Sequence, residues 1–506
     1  MLLLCRKGGG GVWSNIKDEV RRFFYRMGLI KGIKKISEKK DLSISDEMHR
    51  HISIWKRLYS GYYDRWHDVE YKTIEGTKQR RMRSLNMAKV ATEELATLVF
   101  NERCSINISD ENLHTEIRNV LDNNGFNKEF QRFLEYMFAL GGMVIKGRLE
   151  DGEIKLSYVK ADSFIPTGWS NKNVNEGVFI NEIIKNDKKY THLEWHYWEK
   201  DTYIIKNELY ESEKTRDELG IKVSLSTLFD DLEEETLVEN LSRSLFEYIK
   251  PSTANNIDLD SPLGVSIFAN ALDTMHSIDI AFDSFEREFR LGKKRILVPH
   301  TAIKSVVDPK TGRQNRYFDA SNEVYEAFRF DESNQDIKDL SVELRVDEHI
   351  AAINSLLNLF AMQIGFSPGS FSFDGQSMRT ATEVVSENSK TFRTKQSHEV
   401  LIAEGIKGLV DLIVELAILG NIFTSVEDYD VRVTFDDSVA EDKMGDLQYW
   451  VQLVTNQLCT KKRAMMKVLG LTEKEAEEEL VKIMEENKAI TPNDIDFFGM
   501  NRNEEA

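Results

Sequence analysis

The residues best placed to do chemistry in this 506-residue chain are a few acids and histidines set at short spacing. In "HLEWH", His192, Glu194 and His196 alternate, so a strand would put all three on one face, where two imidazoles and a carboxylate could ligate a metal. The polar face of a half-exposed sheet accounts for the same pattern without an ion, since the HExxH arrangement needs a helix and a different spacing. "MHRHIS" is weaker, because His49 and His51 would point to different sides of a helix. In "FDDS", Asp436 and Asp437 precede Glu441 and Asp442, an acid content that could hold magnesium ions for phosphodiester cleavage. A solvated turn before a helix is the simpler reading, as no second acidic motif is tied to it. GxxxxGK[ST] does not occur, and "LGKKR" lacks both the upstream glycine and the hydroxyl residue that cradle phosphates. GxSxG is also missing, and "SPGSFS" has no strand-turn-helix context for a nucleophile. Cys5, Cys104 and Cys459 are odd in number and widely separated, which supports neither a disulfide framework nor a zinc site. The expectation is a protein that is not an enzyme and carries no cofactor and no metal.

Two further stretches read as contact surfaces. The loop Ser367, Pro368, Gly369, Ser370, Phe371, Ser372, Phe373, Asp374, Gly375, Gln376, Ser377 and Met378 holds two aromatic rings and one acid between two strong helical patterns. Buried, such a loop would strand its backbone polar groups; exposed, it would leave its rings in water, so it is expected to face something. The cluster Lys293, Lys294 and Arg295 ends an acidic helix, where cations favour the helix C-terminus. The alternative is phosphate contact in a basic collar completed by Lys304, Lys310, Arg313 and Arg316.

The elements that must position these groups can be read from periodicity and punctuation. Residues 14 to 140 predict mainly helices, with Ser43 or Ser45 capping the one that contains "EMHRHISIWKRLY". From about 141 to 212 short alternating strands take over, "EDGE" marking a hairpin turn, and the acidic "LFDDLEEETLVENLS" follows as a polar patch before a boundary near 260. "SPLGVSIFANALDTMHSIDIAFDSFEREFRLG" predicts one helix with Ser261 as N-cap, Pro262 at the first position and Gly292 as the stop, a rod of roughly 43 Å. A strand-containing excursion with the turn "DPKTGR" follows. A second helix is predicted from Asp347 to Ile364. The loop comes next, and then "TATE", a capping box of Thr380 with Glu383, opens a helical pattern to Gly420. A strand-like "DVRVTF" and terminal helices close the order, the last beginning at a capping box of Thr472 and Glu475.

Length and composition bound the class. The chain exceeds what one hydrophobic core supports, so two or more domains are expected. With 41% hydrophobic and 30% charged residues it reads as an ordinary globular protein. No run is apolar and long enough to predict a membrane span, and "MLLLCRKGGGG" is too briefly apolar for a signal peptide, so synthesis inside the cell is expected. A net charge of −18 argues against a protein that coats nucleic acid but does not forbid contact with DNA, since a duplex that must slide is better served by weak attraction than by tight phosphate pairing.

The combination and order of "GGMVIKGRLEDGEIKLSYVKADSFIPTGW", "SPLGVSIFANALDTMHSIDIAFDSFEREF", "RTATEVVSENSKTFRTKQSHEV" and "VTFDDSVAEDKMGDLQYW" resembles the portal proteins of tailed double-stranded DNA bacteriophages, the long-tailed type of Gram-positive hosts. The resemblance implies a mainly α fold with smaller β parts (α+β), in a multi-domain wing, stem, clip and crown architecture assembled as a cyclic ring. It assigns 1–260 and 380–421 to the wing, 261–291 and 347–365 to the stem, 292–346 to the clip, 366–379 to a tunnel loop and 422–506 to the crown. Twelve copies are implied, or thirteen when the ring is made without capsid, at one capsid vertex of a virion made in the host cytoplasm. Implied partners are double-stranded DNA in the bore, the terminase large subunit, a head-completion adaptor, and the major capsid and scaffolding proteins; no membrane is involved. Twelve helices about 10 Å apart would leave a bore of very roughly 27 Å, enough for a duplex. Asp279, Asp283 and Glu286 would line that bore and repel DNA from its wall, while Phe371 or Phe373 would brush the duplex, pack on neighbouring loops, or anchor the loop against the wing. Two rivals remain: a metal-dependent DNA-processing enzyme built on residues 436–442, and a capsid adaptor or scaffold without a bore.

Overall fold

The computed structural model describes residues 45–73, 76–100, 104–171, 173–213, 219–292, 343–372, 389–424, 428–435, 443–469, 471 and 473–490, with the backbone of five short strands between 296 and 339. The chain divides into two compact units, residues 1–375 with 390–436, and residues 376–389 with 437–506.

The first unit opens with α1 (Asp46–Tyr59). Ser45, in extended geometry, accepts the Met48 N–H as its N-cap, and Met48, Ile52, Trp55 and Leu58 repeat at helical spacing and are buried. After a single turn at Asp64–His67 comes a hairpin of β1 (Asp68–Thr73) and β2 (Gly76–Arg81), then α2 (Met87–Phe100), β3 (Cys104–Ile108), α3 (Glu111–Asn123) and α4 (Phe126–Leu140). The hairpin is not among the elements expected in this mainly helical region. Its residues are mostly exposed on both faces, so no apolar alternation marks it in the sequence.

Beyond Gly141 the fold becomes β-rich, as periodicity predicts. β4 (Met143–Glu150) and β5 (Glu153–Lys160) turn through Asp151 and Gly152, both at positive φ, with Glu150 opposite Glu153. β6 (Phe164–Ser170), β7 (Asn173–Lys185), β8 (Lys188–Glu199) and β9 (Thr202–Glu213) form an antiparallel meander, extended by β10 (Ile221–Val223) and β11 (Glu235–Val238), both paired with β9. β11 lies inside the acidic stretch that reads in the sequence as a polar patch with no strand assigned to it. β12 (Phe246–Ile249) returns to pair with β4.

Next, the structure corrects the first long helix. It is α5 (Leu272–Leu291), 20 residues or about 30 Å, not a rod that starts at Pro262. Leu263, Val265, Ile267 and Phe268 are buried in a non-helical crossing where backbone N–H groups find partners in other elements. Gly264 donates to the Tyr248 hydroxyl at 3.1 Å, and Ile267 donates to the Phe138 carbonyl at 3.0 Å. Gly264 and Gly141 touch backbone to backbone: a Cβ on either would meet the other's carbonyl oxygen at 2.3 or 2.4 Å. Ser261 does accept an N–H, from Leu263 at 3.3 Å, but as a local turn rather than a helix cap.

In the excursion, β13 (Ile296–Pro299), β14 (Val306–Val307), β15 (Gln314–Asn315), β16 (Glu326–Phe328) and β17 (Lys338–Asp339) make a three-stranded sheet in the order β16, β13, β17, and a β14–β15 pair. α6 (Val346–Gln363) lies within one residue of its expected span, and α7 (Ser389–Gly420) ends at the expected glycine. β18 (Val431–Phe435) pairs antiparallel with β3. One core joins Phe130, Leu134 and Phe138 of α4, Met143 and Ile145 of β4, Phe360 of α6, and Ile402, Ile406, Leu409 and Ile413 of α7.

The second unit holds α8 (Lys443–Thr455), α9 (Lys461–Val468) and α10 (Glu473–Ile490), with Thr460 capping α9. The fold is thus a mixed α+β one, with more strand than a mainly helical expectation allowed. None of the described helices is long and apolar enough to cross a membrane.

Candidate functional site

The site begins where α6 hands the chain to the serine-glycine loop. Helix α6 stops at Gly365, whose φ of 90° only glycine adopts without strain. Phe366 then turns back into the core. Ser367 is buried at 1% exposure, and its N–H donates to Thr391 Oγ1 on α7 at 2.8 Å. Thr394, one turn further along α7, donates to the Gly365 carbonyl at 2.7 Å. Gly369 donates to Asn358 Oδ1 of α6 at 2.7 Å, and Lys390 Nζ reaches the Met362 carbonyl at 2.5 Å. The loop root is therefore tied to helices on both sides of it.

Phe371 belongs to that root. Its ring lies 5.9 Å from Phe360 and 5.2 Å from Phe366, half-buried against the helix the loop has just left. The contact is with α6, the helix that the resemblance assigns to the stem, and with Phe366 of the loop itself. Pro368, Ser370 and Ser372 are exposed. Phe373, Asp374, Gly375, Gln376, Ser377 and Met378 lie outside the described residues, as do Thr380 and Glu383 of the capping box.

The helix pair α5 and α6 runs antiparallel, closed at its far end by Glu288. This carboxylate accepts from Arg345 Nε, Nη2 and backbone N–H at 3.2, 3.0 and 3.0 Å, and lies 2.5 Å from His349 Nε2. Those bonds, Arg345 first, hold its pKa down at about 2. Phe285 lies between Phe289, which it meets edge-on, and His349, tilted against it, with centroids 4.9 and 5.3 Å away.

The acids expected to line a bore need a correction at two positions. Asp279 and Asp283 are only 5% and 4% exposed, because the segment between β2 and α2 and the residues flanking the hairpin fold over them. Asp283 takes Arg80 in a two-pronged pair at 2.7 and 2.6 Å and the Arg83 N–H at 3.0 Å. Burial pushes its pKa up, but these donors outweigh that and leave it below the usual range. One turn earlier, Asp279 accepts the Leu85 N–H at 3.1 Å and lies 3.4 Å from His67 Nε2. Asp283 is thus paired with a cation inside its own subunit, and both carboxylates are turned into the fold of that subunit rather than to its surface. Glu286, the third, is half-exposed, with Arg83 at 3.6 Å and Arg290 at 3.9 Å.

Sequence reading did not single out Arg80, His67, Asn358, Thr391 or Thr394. The threonine pair left a faint signal, two hydroxyls one turn apart near the start of a helix. Arg80 left none, as its partner is 203 residues away.

"HLEWH" sits on β8 as predicted, but as a buried network rather than the polar face of a half-exposed sheet. His192 and His196 are 7% and 1% exposed. His196 Nε2 lies 2.8 Å from Glu194 and Nδ1 2.8 Å from the Tyr203 hydroxyl, while Lys146 reaches Glu194 at 2.5 Å. His192 pairs with Asn207 at 2.9 Å. Burial lowers the pKa of both imidazoles, so they stay neutral at neutral pH. The His192–Asn207 and His196–Tyr203 contacts join β8 to β9, Glu194 and His196 pair within β8, and Lys146 brings in β4 of the other sheet. Among the described residues no three His, Cys, Asp or Glu side chains gather as metal ligands would.

Lys293, Lys294, Arg295, Lys304, Lys310, Arg313 and Arg316 lie outside the described residues, as do Asp436, Asp437, Glu441 and Asp442. In the comparison with protein families, the model described as "Phage portal protein, SPP1 Gp6-like" matches residues 38–493. No curated protein matches the chain.

Proposed function

This chain belongs to the SPP1 Gp6-like family of phage portal proteins, a structural family of the virion, and from that premise we propose that copies of it close into a ring at one capsid vertex, through which double-stranded DNA is packaged and ejected. The observation that carries the reading is the match over residues 38–493, which takes in the antiparallel helix pair, the loop pinned between α6 and α7, and the long helix after it. The helix pair forms the stem, the excursion 292–346 the clip, and the loop beyond its root the tunnel loop. Terminase and then a head-tail adaptor dock at the clip, with Lys293, Lys294 and Arg295 beside them, and the motor supplies the ATP hydrolysis for which this chain has no motif.

An exposed apolar set on the helix pair supports a role between copies. Ile280 of α5 and Leu359 and Met362 of α6 are 47%, 41% and 45% exposed in one subunit, although both helices bury their opposite sides in the core. Neighbouring stems packed side by side would cover them.

Particle mass with a top view tests the proposal. Twelve copies of 58.5 kDa give about 0.7 MDa with cyclic symmetry. A chain that stays monomeric at high concentration and in assembling virions would refute it. Deleting 373–378, beyond the pinned root, should leave the ring intact and impair packaging; full-length packaged DNA in that variant would remove the loop from the mechanism.

A further inference from the structure

The second unit is short of a core. Ala476 is the one fully buried apolar side chain among its described residues, although all three helices carry apolar stripes. Trp450 and Val454 of α8, Met465 and Val468 of α9, and Leu480 and Ile483 of α10 instead line an open groove of about 320 Å³. Leu447 and Leu469 at its margin are 43% and 60% exposed. A cavity of about 150 Å³ accommodates one benzene ring, so this one has room for about two.

The α9 edge of the groove has one sign, while the acids Glu477, Glu478 and Glu479 stand on α10. Lys461 is the only ionic residue in the lining, and α9 carries Lys461, Lys462, Arg463 and Lys467 with no acid. Lys462 pairs with Glu477, whereas Lys461, Arg463 and Lys467 make no ion pair with any described residue. An occupant should therefore be aromatic, short and acidic. The residues that follow α10 have that composition: "TPNDIDFFGMNRNEEA" places Phe497 and Phe498 next to Asp494 and Asp496, with Glu504 and Glu505 against a single Arg502. Reach is sufficient. From Ile483 to the helix end at Ile490 is about 10 Å, and the seven residues from 491 to 497 span up to about 23 Å, enough to double back.

We propose that residues 491–506 cover the groove of their own chain, with Phe497 and Phe498 inserted between α8 and α10 and the flanking acids against α9. The assignment is independent of the ring, since it concerns one unit of one copy.

Hydrogen exchange of the α9 amides, compared between the full chain and a chain ending at Ile490, tests it. Removing the segment should speed that exchange at least about ten-fold and raise binding of an apolar dye, with α1 to α7 unchanged. A synthetic 491–506 peptide added to the shortened chain should restore protection, and should do so more weakly in high salt or with Lys461→Glu and Lys467→Glu. The full chain with Phe497→Ser and Phe498→Ser should behave as the shortened one, which separates insertion from simple tethering. Equal protection in full and shortened chains would overturn the proposal. So would protection in the shortened chain that rises with its concentration, because a second copy would then be the occupant.

Discussion

Asp279 and Asp283 show how one side chain can join segments that lie far apart in the chain. They stand one turn apart on α5, and each takes a backbone N–H from residues 83–85 together with a cationic or imidazole partner. Removing one partner of a buried pair strands the other and typically costs about 3 kcal/mol. Asp283→Ala should therefore lower unfolding stability by about that much. In the double variant with Arg80→Ala the loss should fall short of additive, as chemical denaturation in a two-by-two set of variants would measure. Glu288 acts differently, being a surface clasp with a depressed pKa. A carboxylate held down at about 2 stabilises fully above its ordinary value near 4.5 and loses that contribution as pH falls from there towards 2. Protection of the amides at the end of α5, taken relative to the intrinsic exchange rate at each pH, should accordingly fall between pH 4.5 and 2, and Glu288→Gln should remove that pH dependence while leaving the core unaffected.

At the scale of elements, the crossing before α5 is the sharpest case. Gly264 has no space for a side chain, since the atom that a Cβ would meet is a backbone oxygen of Gly141. Gly264→Ala should destabilise by about 1–3 kcal/mol, read as a lowered midpoint of thermal or denaturant unfolding. The sequence made this segment look like a helix start, because Ser-Pro before an apolar run is a sound N-terminal signal. It could not show that Tyr248, Phe138 and Gly141 were waiting for those backbone groups. Elements governed by local chemistry were legible: the Asp151-Gly152 turn, the Ser45 cap, and the span of α6. The hairpin at 68–81 was not, being polar on both faces and held at its root by an aspartate two hundred residues on. The same limit applied to the loop. Its composition announced a special role, but only packing shows that Phe371 belongs to the root and not to the tip.

At the scale of the whole molecule, a family match over residues 38–493 meets a subunit that leaves an apolar set exposed on its helix pair. If neighbouring copies cover Ile280, Leu359 and Met362, then Ile280→Ser with Leu359→Ser and Met362→Ser should keep the subunit folded, by circular dichroism, while shifting it towards smaller assemblies on a sizing column. Unchanged assembly would place the contact elsewhere. The crossing that precedes α5 bears on how such an assembly, if it forms, could yield to load. Because α5 springs from a buried crossing rather than a free linker, tension along that helix runs straight into the strands and helices it threads between. If copies close around a duplex as proposed, a rod moored in this way would pass a push from the moving cargo into the body of its subunit as strain instead of losing it in a slack joint.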